Sequence, residues 1–232
     1  MKNPRTYWVT GATNGLGLAL VTGLLEQGHH VAASGKECQQ LTTLQQLHGE
    51  RLLRLPWQLH DSAHAQAGAE RLRAAWGALD GLIINAGTCD YLSDSLPADK
   101  LFETIVVSNL QASSQCLSAA LPLLARGDSP QVMAILSRYS ALQLHEPTQP
   151  MRGSNSPPHW FREQRQVLQA LGISLTVVAP HATKAPLTQV QAIPEAWTAQ
   201  SAAHELIVSL AKREPELVLE ALELNSLWPL PG

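Results

Sequence analysis

The stretch "TGATNGLG" (10–17) limits the fold of this chain more than any other feature. It follows a short apolar run, "TYWVTG" (6–11), and opens a segment of helical period, "LGLALVTGLLEQG" (16–28), with Gly28 as its stop. A glycine-rich turn between a strand and a helix lets backbone N–H groups approach a pyrophosphate, and the helix N-terminus adds partial positive charge. Gly11 permits the tight turn, while Gly15 and Gly17 leave room for phosphate approach and close helix packing. Thr13, Asn14 and Leu16 complete the candidate phosphate-binding segment. Three glycines alone would be a weak signal; the strand–turn–helix context makes nucleotide binding the expectation.

Beyond the turn, apolar runs alternate with helical segments, the pattern of a parallel α/β sheet. Strands are expected at 30–34, 51–57, 79–87, 131–137, 173–180 and near 216–220. Helices are expected from Cys38 to His48, from Asp61 or Ser62 through Trp76, and from about Pro97 to Leu124. Two more are expected, from near Pro157 to the strand at 173 and from Ala199 to Lys212. The 79–87 run is apolar enough to be buried on both faces. No repeat or linker divides the chain, so residues 1–232 read as one Rossmann-type, doubly wound domain of about seven strands.

Composition agrees with a folded protein: 45% hydrophobic and 15% charged over 232 residues. A formal charge of -3 gives no electrostatic case for nucleic acid or an acidic membrane surface. Cys38, Cys89 and Cys116 lack metal-ligand spacing and read as reduced thiols, with no metal expected. The N-terminus has no apolar h-region and no run of about 18 apolar residues occurs, so a cytoplasmic location without a membrane span is expected.

Taken together, the motifs resemble the short-chain dehydrogenase/reductase family over nearly the whole chain. "TGATNGLG" is similar to its TGxxxGxG turn, and "INAG" (84–87) to its NNAG motif, which implies an adenine-side role for Asn85, Ala86 and Gly87. Asn109 and Ser137 fall at the family's active-site Asn and Ser. "VVAPH" resembles its VxPG segment, with His181 in place of glycine, and implies cofactor contacts for Pro180 and Thr183. The resemblance implies a nicotinamide cofactor. By its spacing, Gly35 stands at the acidic position that holds a ribose 2′-OH, and Lys36 follows it. A carboxylate there would repel a 2′-phosphate and a lysine attracts it, so NADP(H) is favoured over NAD(H). Gln58 replaces an Asp that often faces adenine in the family.

The resemblance breaks at the acid/base pair. A family tyrosine titrates near 10 unperturbed and depends on a lysine four residues later. Both forward spacing from Ser137 and backward spacing from Gly172 put Pro150 at the Tyr position and Ser154 at the Lys position. No YxxxK occurs in the sequence. Proline has no ionisable group, and an unactivated serine is too weak an acid. Pro147 and Pro150 disfavour helix, so residues 143–156 read as a loop. Tyr139, His145, His159 and His181 are alternative proton donors and Arg152 an alternative cation, or else all are ordinary polar residues. Two functions stay open: an NADP(H)-linked oxidoreductase of a carbonyl or alcohol with an atypical site, and a catalytically inactive NADP(H)-binding protein with a sensing or interaction role. The segment 182–197 reads as a short substrate lid. By the same resemblance a homodimer or homotetramer is expected, through helices 97–124 and 157–171, with Trp160, Phe161, Val167 and Leu168 facing either the partner or the core.

Overall fold

Strand side chains alternate between two faces, and in this chain both faces are apolar. In the computed structural model the described residues are 3–56, 59, 61–85, 98–136, 157–180 and 198–219. Seven strands run through them: β1 (Thr6–Val9), β2 (His30–Ser34), β3 (Leu52–Leu55), β4 (Gly81–Asn85), β5 (Gln131–Ile135), β6 (Ser174–Pro180) and β7 (Glu216–Leu219). They form one sheet in the order β3-β2-β1-β4-β5-β6-β7, and every pairing is parallel. The helices among the described residues are α1 (Gly15–Glu26), α2 (Gln39–His48), α3 (Ser62–Trp76), α4 (Ala98–Leu124), α5 (Pro157–Ala170) and α6 (Ala199–Leu210).

The two-residue period of the strands divides the core into two layers. Trp8, Ala32, Leu82, Ile84, Val132 and Ala134 point to one face, where they meet Leu72 of α3, Leu123 of α4 and Phe161 of α5. Their sequence neighbours Tyr7, Val9, Val31, Ile83, Met133 and Ile135 point to the other face, against Leu20 and Leu24 of α1 and Leu206 of α6. Helices thus cover both sides, which is the doubly wound arrangement expected from the alternating pattern. A Cβ built at Gly23 in α1 would lie 2.7 Å from Ile207 Cδ1, so the small residue lets α1 and α6 approach closely.

Local signals explain most boundaries. Asp61 caps α3 by accepting a hydrogen bond from the Ala63 amide at 2.8 Å. Thr198 caps α6 through the Ser201 amide at 3.1 Å. The expected β1 of 6–11 ends earlier, at Val9, because the next residues turn into the glycine segment. The expected strand at 51–57 is shorter, since Arg51 belongs to a single 3-10 turn, Gly49–Arg51. The last helix stops at Leu210 rather than Lys212, ahead of Arg213 at φ 54°. At the amino-terminal edge of the sheet, Asp80 accepts from the Thr6 amide at 2.8 Å and the Asp128 amide at 2.7 Å, joining the entries to β1 and β4.

Candidate functional site

Because all strands run the same way, their carboxyl ends share one edge, and the strand order reverses direction between β1 and β4. Crevices at such switch points are where open α/β sheets bind ligands. Here the glycine turn leaves β1 beside the last residue of β4, Asn85, which is buried at 7% exposure.

Three contacts hold the turn on that side. The Thr10 amide donates to the Ile83 carbonyl at 3.0 Å. The Asn85 amide donates to Thr10 Oγ1 at 3.0 Å. The Asn85 side-chain Nδ2 donates to the Gly11 carbonyl at 3.2 Å. On the opposite side the Ala12 amide donates to the Ser34 carbonyl at 3.0 Å, and Ser34 Oγ accepts from Trp8 Nε1 at 2.6 Å. The turn is therefore clamped between β4 and β2. Ser34 and Trp8 are positioning residues that lie outside the motif; Ser34 holds the last register position of β2, and Trp8 reaches it from β1.

Gly11 and Gly15 adopt φ of 59° and 49°, backbone that a side chain disfavours. Gly17 has a different reason to be glycine: a Cβ there overlaps the Gly11 carbonyl oxygen and lies 2.9 Å from Asn85 Nδ2. Asn14 is the N-cap of α1, yet its side chain makes no capping bond, and the first turn contains no acid. Among the described residues, no partner accepts from the Gly15, Leu16 and Gly17 amides in the first turn of α1, whose positive end suits an anion.

Further along the same edge, Gly35 follows β2 and sits against the turn: a Cβ on it overlaps Thr13 Oγ1. Lys36 is exposed, and its neighbour Glu37 is ion-paired with Arg54 of β3. Two buried oxygens of this region, Thr13 Oγ1 and Asn85 Oδ1, have no hydrogen-bond partner among the described residues. Buried polar atoms of this kind are costly unless water, an ion or a ligand meets them.

Asn109 lies inside α4 at 4% exposure, and its carbonyl accepts from Ser113 Oγ at 2.7 Å. Pro180 ends β6 on the same carboxyl edge. Ala86, Gly87, Ser137, Pro150, Ser154 and Thr183 lie outside the described residues, as do Gln58, Cys89, Tyr139, His145, Arg152 and His181. Tyr7 is not a candidate proton donor for the site. It is buried within β1 with its ring edge-on to His29, and burial pushes its phenol above the ordinary value, which outweighs the opposing pull of Arg5. Cys116 is likewise buried in the core, and burial alone pushes its thiol up, so it stays protonated. Among the described residues no group of three or more metal-binding side chains occurs, and no helix is long and apolar enough to cross a membrane.

Comparisons with known proteins bear on the family and the fold. A cis-2,3-dihydrobiphenyl-2,3-diol dehydrogenase of Pseudomonas sp. strain KKS102 is 32% identical over 138 residues, covering 57% of this chain and 50% of that protein. A probable NADP-dependent dehydrogenase of Haemophilus influenzae is 33% identical over 94 residues, covering 40% of this chain and 37% of the relative. The chain thus spans about half the length, or less, of these curated relatives. A short-chain dehydrogenase from Streptomyces avermitilis superposes with a TM-score of 0.72 at 17% identity, over 94% of this chain and 89% of the other. The short chain dehydrogenase family model matches residues 5–195. The family implies a nicotinamide dinucleotide, and the amino end of α1 together with the Thr13 hydroxyl, which can donate, fits its phosphate-bearing half, while Asn85 Oδ1 can only accept and suits an N–H or O–H donor. With its sheet, its glycine turn and the span of that match, this chain belongs to the short chain dehydrogenase family of oxidoreductases.

Proposed function

We propose that the chain is an NADP(H)-linked oxidoreductase of a carbonyl or alcohol, working through an atypical active site. The observation that carries this reading is the clamped glycine turn over the uncapped amino end of α1. In it, Gly11, Thr13, Asn14, Gly15, Leu16 and Gly17 hold the pyrophosphate, and Gly35 and Lys36 face the adenosine ribose. Asn85, Ala86 and Gly87 line the adenine side, Pro180 and Thr183 the nicotinamide side, and Ser137 and Asn109 the substrate oxygen. The bound dinucleotide supplies or accepts a hydride; the chain orients it and manages the proton. Lys36 and the absence of an acid at Gly35 favour the 2′-phosphate, and pairing of Glu37 with Arg54 moderates the nearest carboxylate. The relationship to a probable NADP-dependent dehydrogenase supports the same choice.

Pro150 and Ser154 cannot perform the family's proton transfer, so a different donor is required. The same replacement favours a second reading, an inactive NADP(H)-binding protein whose ligand sets a conformation read by a partner. One experiment separates them. NADPH and NADH are titrated by calorimetry, and NADPH oxidation is then followed across a broad panel of aldehydes and ketones. Tight NADPH binding with turnover of at least one carbonyl supports the enzyme. Binding without any turnover establishes the second reading, and no binding of either nucleotide sinks both. We further propose a single domain that assembles as a homodimer or homotetramer.

A further inference from the structure

The absence of a side chain at position 35 has a cause in another residue. A Cβ on Gly35 overlaps Thr13 Oγ1 and comes within 3.4 Å of the Thr13 amide nitrogen and 3.5 Å of the Ala12 amide nitrogen. The backbone on both sides is tied. Ala12 donates to the Ser34 carbonyl at 3.0 Å, and Gly35 donates to the Leu55 carbonyl at 3.3 Å. Only the Thr13 side chain can give way, and a β-branched side chain has few rotamers to choose from. Its hydroxyl is buried without a hydrogen-bond partner among the described residues, so hydrogen bonding within the turn does not account for a threonine there. Beyond the pair, Glu37 is engaged by Arg54 while Lys36 is exposed.

We propose that Thr13 and Gly35 form a coupled selector for a phosphorylated adenosine ribose. Thr13 fills the space where any side chain at 35 would begin, so a carboxylate is kept out and Lys36 is the next residue to meet the 2′ position. Specificity then resides in a contact between the glycine turn and β2, not in Lys36 alone. This deepens the NADP(H) reading and rests on it.

The test uses the full chain and two probes, adenosine 2′,5′-bisphosphate and 5′-AMP, with calorimetric affinities and thermal midpoints read separately. Gly35→Ala is expected to lower Tm by about 3 °C or more. Adding Thr13→Ala restores at least half of that loss, whereas Thr13→Val, which keeps the bulk, restores none. The wild type favours the bisphosphate. Thr13→Ala with Gly35→Asp shifts the ratio of the two affinities toward 5′-AMP by about tenfold beyond Gly35→Asp alone. Strictly additive Tm losses, or a Gly35→Ala variant as stable as wild type, overturn the selector while leaving the NADP(H) reading in place. Equal binding of both probes by the wild type overturns that reading, and the selector with it. Should Gly35→Asp fail to fold, the alanine pair still decides the coupling.

Discussion

Gly17 stands in the first turn of α1, facing the carbonyl oxygen of Gly11, and Asn85 Nδ2 approaches the same point from β4. Both obstacles are fixed: one is backbone, and the other is a side chain already donating to that carbonyl. Gly17→Ala therefore has no inexpensive relaxation. It is expected to destabilise the fold by about 1–3 kcal/mol in urea titration and to abolish measurable nucleotide binding. An alanine variant with wild-type affinity would show that the turn is not the phosphate cradle. The glycines were readable in the sequence as a motif, but their separate reasons were not. Gly11 and Gly15 are demanded by φ and Gly17 by proximity, and only coordinates separate the two. The tyrosine question has the opposite character. That Pro150 lacks an ionisable group is plain from the sequence, and burial of Tyr7 in β1 removes one substitute.

Among the elements, helices and strands follow the hydrophobic period, and their ends follow local chemistry. α3 begins where Asp61 can cap it, and α5 begins at Pro157, as the Ser-Pro pair suggests. What the period does not reveal is how an edge strand is held. β7 is tied to α5 by Glu216, whose carboxylate accepts from Arg162 Nε at 3.1 Å and lies 3.7 Å from Arg165 Nη2. The Arg162 hydrogen bond is the chief cause that holds the Glu216 carboxyl below its ordinary 4.5, against a smaller opposing effect of burial. A depressed folded value means that the ion pairs contribute fully above the ordinary carboxylate range and are lost as pH falls through the folded value. The groups are about half exposed, so the contribution is on the order of 0.2–1 kcal/mol. Glu216→Gln should lower stability by that amount at neutral pH and leave it unchanged well below the carboxylate range. Equal stability losses at both pH values would reject the ion-pair account.

At the scale of the whole molecule, α5 separates an inner face from an outer one. Phe161 and Leu168, two of the candidates for subunit contact, are fully in the core at 0% and 1% exposure, while Val167 is 55% exposed and Leu171, just beyond the helix, 53%. If this surface joins two copies, Val167→Glu will shift light-scattering mass from the oligomer to the monomer with little change in the monomer's own thermal midpoint. An unchanged mass would move the interface elsewhere. The sequence by itself determined the fold class, the order of elements and the glycine turn, since hydrophobic period, caps and glycine spacing act over a few neighbouring residues. It also shows that no YxxxK string occurs anywhere in the chain. Only the tertiary structure decided which residues from different elements meet. Thr13 and Gly35 are far apart in the chain, and they touch because β1 and β2 run parallel with Val9 beside Ala33. Asn85 reaches Gly11 because β4 lies on the other side of β1. Such contacts follow from strand register, which is set by the packing of both sheet faces and not by any local run of residues.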